Sequence, residues 1–266
     1  MEPRKIVMAL ATFFCLFLTG CPLTGPGDNA AILDGTSWVL ESLHGQPMRD
    51  NRHQLTLNFK NNKVSGSAGC NTYLGPYTEE SRGKLHIEKE VFLTEKACMP
   101  NEVMAQEGRF IDALKTTATY NIVGEIVGEK LTLKNAEGQA TAVFIAQSQD
   151  LQGTSWQVTG YNNGSGIVNI ISGSTLNIAF ENDGKVTGSA GCNTYFGAYT
   201  SAVSGRTVSI SQAGLTRMDC PIPAGVMEQE DTFLAALITA TTYRIDGRNL
   251  TLSKADGSTA VNLKKN

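Results

Sequence analysis

A block of thirteen residues occurs twice in this chain, 122 positions apart. Gly66-Ser-Ala-Gly-Cys-Asn-Thr-Tyr-Leu-Gly-Pro-Tyr-Thr78 returns as Gly188-Ser-Ala-Gly-Cys-Asn-Thr-Tyr-Phe-Gly-Ala-Tyr-Thr200, identical at eleven positions. In each copy a second cysteine follows the first by 28 residues, Cys70 to Cys98 and Cys192 to Cys220. A period this long predicts two domains of one kind, not a solenoid of short units. It also filters functional ideas, because chemistry that belongs to the domain type needs its residues in both copies.

The surrounding sequence keeps the same order twice. Each copy opens on Gly-Thr-Ser-Trp, Gly35 to Trp38 and Gly153 to Trp156, and Trp38 to Leu43 is rich enough in β-favouring residues for a first strand. Leu55, Leu57 and Phe59 then alternate with Thr56, Asn58 and Lys60, which predicts one buried and one polar face; Leu176, Ile178 and Phe180 repeat the pattern. Turn residues follow, Asn61-Asn62 and Asn182-Asp183-Gly184, and mark a hairpin. Strand patterns return near Leu85–Ile87 and Val208–Ile210. After the second cysteine the period changes to that of a helix of about four turns. Val103, Met104, Phe110, Ile111 and Leu114 share one face, as do Val226, Met227, Phe233, Leu234 and Leu237, with Pro100 and Pro223 at or before the start. Tyr120 and Tyr243 restart the strand pattern, and Leu131, Leu133, Leu250 and Leu252 continue it. The expected class is α+β: two similar domains, each a curved antiparallel β-sheet with one packed α-helix and one disulfide. Domain boundaries fall at 33–146 and 151–266, joined by a short linker at 147–150.

The N-terminus reads as an export signal over residues 1–20. Arg4 and Lys5 precede an apolar stretch, Ile6 to Leu18, that is too short for the roughly 20 residues of a membrane-spanning helix. Leu18-Thr19-Gly20-Cys21 resembles a bacterial lipobox, which implies cleavage before Cys21 and lipidation of its sulfur. Residues 21–32, rich in Gly and Pro, suit a flexible tether whose ten coil residues after Cys21 reach roughly 15–20 Å. Pro22, where an Asp would favour the inner membrane, points to an outer-membrane anchor facing the periplasm. In an exported chain, Cys70, Cys98, Cys192 and Cys220 are expected to form disulfides. Four cysteines allow three connectivities, and the duplication favours 70–98 and 192–220.

Charge and motifs exclude several functions. The net charge of −3 and the lack of a long basic run give no nucleic-acid footprint. No metal site or cofactor is expected: copy two has no histidine, and two cysteines do not complete a tetrahedral site. Neither Cys-x-x-Cys nor Gly-x-Ser-x-Gly is present. The Gly-x-x-Gly of the repeat lacks the lysine of a phosphate loop. Gly66, Gly69 and Asn71, with Gly188, Gly191 and Asn193, therefore read as a structural turn whose glycines supply unusual backbone angles and whose asparagines bond local backbone. Glu107 and Glu230 lie near the helix stripe and take a structural role, since no recurring base accompanies them. His44, His53 and His86 occur in copy one alone, and the Tyr161–Gly166 insertion of copy two reads as a longer surface loop.

The Gly-Ser-Ala-Gly-Cys-Asn-Thr-Tyr block, the Leu-Thr-x-x-x-Cys of Leu93–Cys98 and Leu215–Cys220, and the Gln-Glu-x-x-Phe of Gln106, Glu107, Phe110 and Gln229, Glu230, Phe233 together resemble the META domain, the family of the heat-shock lipoprotein HslJ. The resemblance covers nearly all of 33–264, twice. Thr94–Cys98 departs further from the family pattern than Thr216–Cys220. What it implies is a small α+β domain, often on a bacterial lipoprotein, linked to heat stress, novobiocin resistance and, more loosely, motility or secretion, with no established catalysis. The expected function is a non-enzymatic, envelope-anchored binding or scaffolding module. Its partners would be the membrane, through the lipid anchor, and an envelope protein or small ligand. A carrier with a cavity inside one sheet and an enzyme with a site between the domains are the alternatives.

Overall fold

Alternation of apolar and polar side chains turns each copy of the repeat into a run of antiparallel strands. The computed structural model describes residues 33–48, 53–81, 83–124 and 129–265. The expected signal, Cys21 and the tether at 21–32 lie outside the described residues. Copy one runs β1 (Ser37–Leu43), β2 (Gln46–Pro47), β3 (Thr56–Lys60), β4 (Lys63–Ser67), β5 (Thr72–Ser81), β6 (Lys84–Ile87), β7 (Phe92–Leu93), α1 (Asn101–Lys115), β8 (Thr119–Val123), β9 (Lys130–Lys134) and β10 (Ala140–Ala146). Copy two runs β11 (Thr154–Asn162), β12 (Ile167–Asn169), β13 (Asn177–Phe180), β14 (Lys185–Ser189), β15 (Thr194–Ala202), a 3₁₀ turn (Ser204–Arg206), β16 (Thr207–Leu215), α2 (Val226–Leu237), β17 (Thr242–Asp246), β18 (Asn249–Ser253) and β19 (Thr259–Lys264).

The first and last strands of each copy pair with one another, β1 with β10 and β11 with β19. Each sheet therefore closes into a ring of eight strands, with β2 and β7, or β12, attached outside the ring. This corrects the expected α+β class: each domain is a mostly β barrel, and its helix is a single element of 15 or 12 residues. Closure removes the two edges that an open sheet would leave unpaired. One contact around each ring is thin: β6 meets β8 through Lys84 and Thr119, and β16 meets β17 through Thr207 and Thr242. The chain passes through its helix between these strands.

Each ring encloses its own core. Trp38, Leu57, Phe59, Tyr73, Phe110 and Phe144 fill the first; Trp156, Ile178, Phe180, Tyr195 and Phe233 fill the second. Burying each such side chain contributes about 1.5–3 kcal/mol. Phe110 of α1 lies edge-on to Tyr73 and Phe144, and Phe233 of α2 lies edge-on to Tyr161 and Tyr195. Met104, placed on the apolar helix face by its spacing, is instead 38% exposed. The opening Gly-Thr-Ser-Trp holds the indole: Trp38 Nε1 donates to Thr36 Oγ1 at 2.7 Å, and Thr36 Oγ1 donates to the Leu33 carbonyl at 2.6 Å. Trp156, Thr154 and Leu151 repeat both bonds.

Of the polar face expected on β3, only Lys60 is solvated. Thr56 and Asn58 are 2% and 4% exposed. What covers them is the second domain. The described residues belong to one compact unit, and the linker is part of it. Gln149 donates to the Ile245 carbonyl at 2.8 Å and accepts from its N–H at 3.0 Å, while Tyr243 Oη donates to the Gln149 carbonyl at 2.6 Å.

Candidate functional site

The repeated block brings its residues together as a clasp. Cys70 is joined to Cys98 and Cys192 to Cys220, each pair with Cα atoms 5.9 Å apart, an ordinary disulfide span. Asn71 donates from its backbone N–H to Glu107 Oε2 at 2.8 Å and from Nδ2 to Glu107 Oε1 at 2.9 Å. Its Oδ1 accepts from Thr94 Oγ1 at 2.8 Å and from the Lys96 N–H at 2.7 Å. Asn193 repeats this with Glu230 at 2.7 and 2.9 Å, and with Thr216 Oγ1 and the Met218 N–H at 2.8 and 2.7 Å. One buried asparagine thus ties the turn, the helix and the segment returning to the disulfide. Beyond the local backbone bonding expected of a turn asparagine, its main partner is the glutamate 36 residues onward in copy one and 37 in copy two. Glu107 and Glu230 are 6% and 1% exposed, and both carboxylate oxygens of each receive a hydrogen bond from the asparagine.

The two glycines of the block act for different reasons. Gly69 and Gly191 have φ of 104° and 118°, as the turn reading expects. Gly66 and Gly188 do not need such angles. A Cβ on Gly66 would stand 2.2 Å from the Thr56 carbonyl oxygen, and on Gly188 2.1 Å from that of Asn177. Tyr73, paired across the strands with Gly66, donates its hydroxyl to that same Thr56 oxygen at 2.7 Å. Tyr195 does so to Asn177 at 2.9 Å. At Gly188 the missing side chain also makes room for the tyrosine, whose hydroxyl would lie 2.7 Å from a Cβ, as aromatic residues often cover a strand glycine.

A second constellation lies where the domains meet, and its residues differ between the copies. Arg206 donates from one terminal nitrogen to the Gly35 carbonyl at 2.8 Å and to Ser37 Oγ at 3.0 Å. Asn58 Nδ2 donates to Asp246 Oδ1 at 3.2 Å and to the Ser65 carbonyl at 3.0 Å. Arg244 donates to Ser65 Oγ at 3.3 Å and faces Asp246 at 3.5 Å. Gly247 brings the β17–β18 turn against Gln54 and Thr56. Beside these contacts is a cleft of about 300 Å³ whose lining includes Lys60, Ser65, Arg206, Thr242 and Arg244. Burial and, next, the neighbouring Arg244 charge lower the Arg206 pKa below its ordinary value. The corresponding positions of copy one are Gly83, Asn121 and Val123, in place of Arg206, Arg244 and Asp246. Arg206 keeps the left-handed backbone of Gly83, with φ of 52° against 79°.

The remaining sequence candidates are scattered. His44 sits in the turn after β1, and His86 on β6 faces Glu88 at 3.4 Å on the surface. Among the described residues no three His, Cys, Asp or Glu are grouped to hold a metal ion. The Tyr161–Gly166 insertion is a hairpin tip between β11 and β12. Its Asn162 and Asn163 accept from the N–H groups of Gly164, Ser165 and Gly166, and Tyr161 packs into the core.

A model of the META domain matches residues 31–148 and again 149–266. No curated protein matches the chain. Among solved structures, an NMR structure of a protein from Burkholderia xenovorans is similar at 22% identity, covering 49% of this chain and 99% of its own, with a TM-score of 0.38. The crystal structure of a duf4847 family protein from Bacteroides vulgatus is similar at 22% identity, covering 43% and 93%, with a TM-score of 0.33.

Proposed function

We propose that this protein, which belongs to the META domain family through both halves of its chain, is a lipid-anchored protein of the bacterial envelope that binds or scaffolds a partner without catalysing a reaction. The observation that carries the reading is the use made of the repeated polar residues. Asn71 with Glu107, and Asn193 with Glu230, hold each other inside the fold, so the chemistry common to both domains is structural. The lipobox-like Leu18–Cys21 supplies the anchor, and a disulfide in each domain suits an oxidising compartment. The outer membrane is the proposed site, with the domains on the periplasmic side and a role in stress or antibiotic tolerance. A carrier cavity would have to displace core side chains such as Phe59, Phe110 or Phe233, which now fill the rings.

The test pairs anchoring with activity. Fatty-acid labelling of cells is expected to mark the wild type and not Cys21→Ser, which should leave the membrane fraction. Equal labelling of both would overturn the anchor. Turnover of an envelope substrate by the full chain, abolished by Glu107→Gln or Glu230→Gln at unchanged melting temperature, would overturn the non-enzymatic reading.

A further inference from the structure

The cleft between the domains has a composition that their mutual contacts do not account for. Its lining carries three cations, Lys60, Arg206 and Arg244, and no carboxylate. Asp246 is the acid nearest in the contact network, engaged by Asn58 and Arg244. Counting it, the cluster retains a charge of about +2. Arg244 Nε is also buried with no hydrogen-bond partner among the described residues. A buried N–H of a charged group left without an acceptor is destabilising, so the protein's own contacts leave Arg244 incompletely satisfied. Arg248 Nε is in the same state but does not line the cleft.

The geometry points to this cleft as a binding site for a small phosphate monoester. Such a group carries about −1.5 to −2 at neutral pH and so matches the cluster in charge. Guanidinium groups present N–H pairs at the spacing of phosphate oxygens. The hydroxyls of Ser65, Thr242 and Ser253 also line the cleft and add neutral donors. A volume of about 300 Å³ lies at the lower end of small-ligand pockets, enough for the phosphate and a short polar body. Both domains build the site, Lys60 and Ser65 from one and the arginines from the other. It therefore exists once in the molecule, although the fold occurs twice. The inference rests on the cleft and is independent of envelope anchoring.

Calorimetric titration of the full mature chain in detergent, at fixed ionic strength, tests it. Glycerol 3-phosphate is expected to bind saturably with one site per chain. Arg244→Gln should weaken that binding about tenfold or more, the loss of one charge-assisted bond, with both disulfides and the strand content retained. If Arg244→Gln does not fold, Lys60→Gln at the exposed rim is the second variant, expected to weaken binding a few-fold. Lys89→Gln, a surface charge outside the cleft, should leave it unchanged. Inorganic phosphate binding more weakly than the ester would support the ester assignment. No heat up to about 10 mM ester, equal binding by Arg244→Gln, equal binding of succinate, or binding to phosphatidylglycerol vesicles alone would each overturn it. Because the titration contains no envelope component, its failure leaves the anchoring proposal to its own test.

Discussion

Strand β3 of the first domain and β13 of the second begin from one pattern and end in different surroundings. Leu55, Leu57 and Phe59 point into one core as Leu176, Ile178 and Phe180 point into the other. On the opposite face, Thr56 and Asn58 are buried under the β17–β18 turn of the second domain, whereas Asn177 and Ala179 are half-buried. The inward face belongs to the domain type and recurs. The outward face belongs to the pair of domains, and its residues have diverged accordingly. The interface is heterologous, since the β3–β4 face of one barrel meets the β16–β17 seam of the other. The corresponding seam of domain one carries Gly83, Asn121 and Val123 instead.

This division predicts equal costs at shared positions and unequal costs at divergent ones. The largest effect is expected at the clasp. Glu107→Ala leaves the Asn71 backbone N–H without an acceptor and its Nδ2 with only the Lys96 carbonyl, and should cost its domain about 3 kcal/mol, as Glu230→Ala should cost the other. Urea unfolding of the two variants checks this, and a large loss at one site alone would break the equivalence. A smaller and one-sided effect is expected on the outward faces. Asn58→Ala removes bonds to Asp246 and Ser65 and should cost about 1–2 kcal/mol. Ala179→Asn installs the same side chain on β13, where nothing across from it is matched, and should change stability by no more than about 0.5 kcal/mol. Equal losses would mean that the interface does not distinguish the strands.

How far the sequence discloses this structure depends on how local each cause is. Although β5 and β15 begin inside the block that reads as a turn, most strands, the helices and both disulfide pairs follow from alternation, period and duplication. Barrel closure does not, because nothing in the apolar pattern of Trp38–Leu43 says that its second neighbour is β10. For Gly66, the repeat signals its importance but not the reason, which lies in the close approach of the Thr56 carbonyl. The asparagine–glutamate clasp is half visible: both residues recur, but their separation of 36 and 37 residues hides the bond. The interdomain cluster is not legible in the shared pattern, because its residues differ between the copies and lie far apart in sequence. The signal that would have found it is an arginine where the other copy has a glycine, at Arg206 and Gly83. The histidines and the 161–166 loop also differ between copies, yet the structure places them apart from one another.

The central claim is that recurrent residues build each barrel while Arg206, Arg244 and Asp246 join the two. Scanning calorimetry of the wild type and of Arg206→Gly/Arg244→Asn/Asp246→Val, which installs the residues of copy one, tests it most directly. The account predicts one cooperative transition for the wild type. In the triple variant it predicts two separable transitions, with both disulfides and the strand content retained. A triple variant that unfolds in one transition at the wild-type temperature would contradict the account, as would one in which either barrel fails to form.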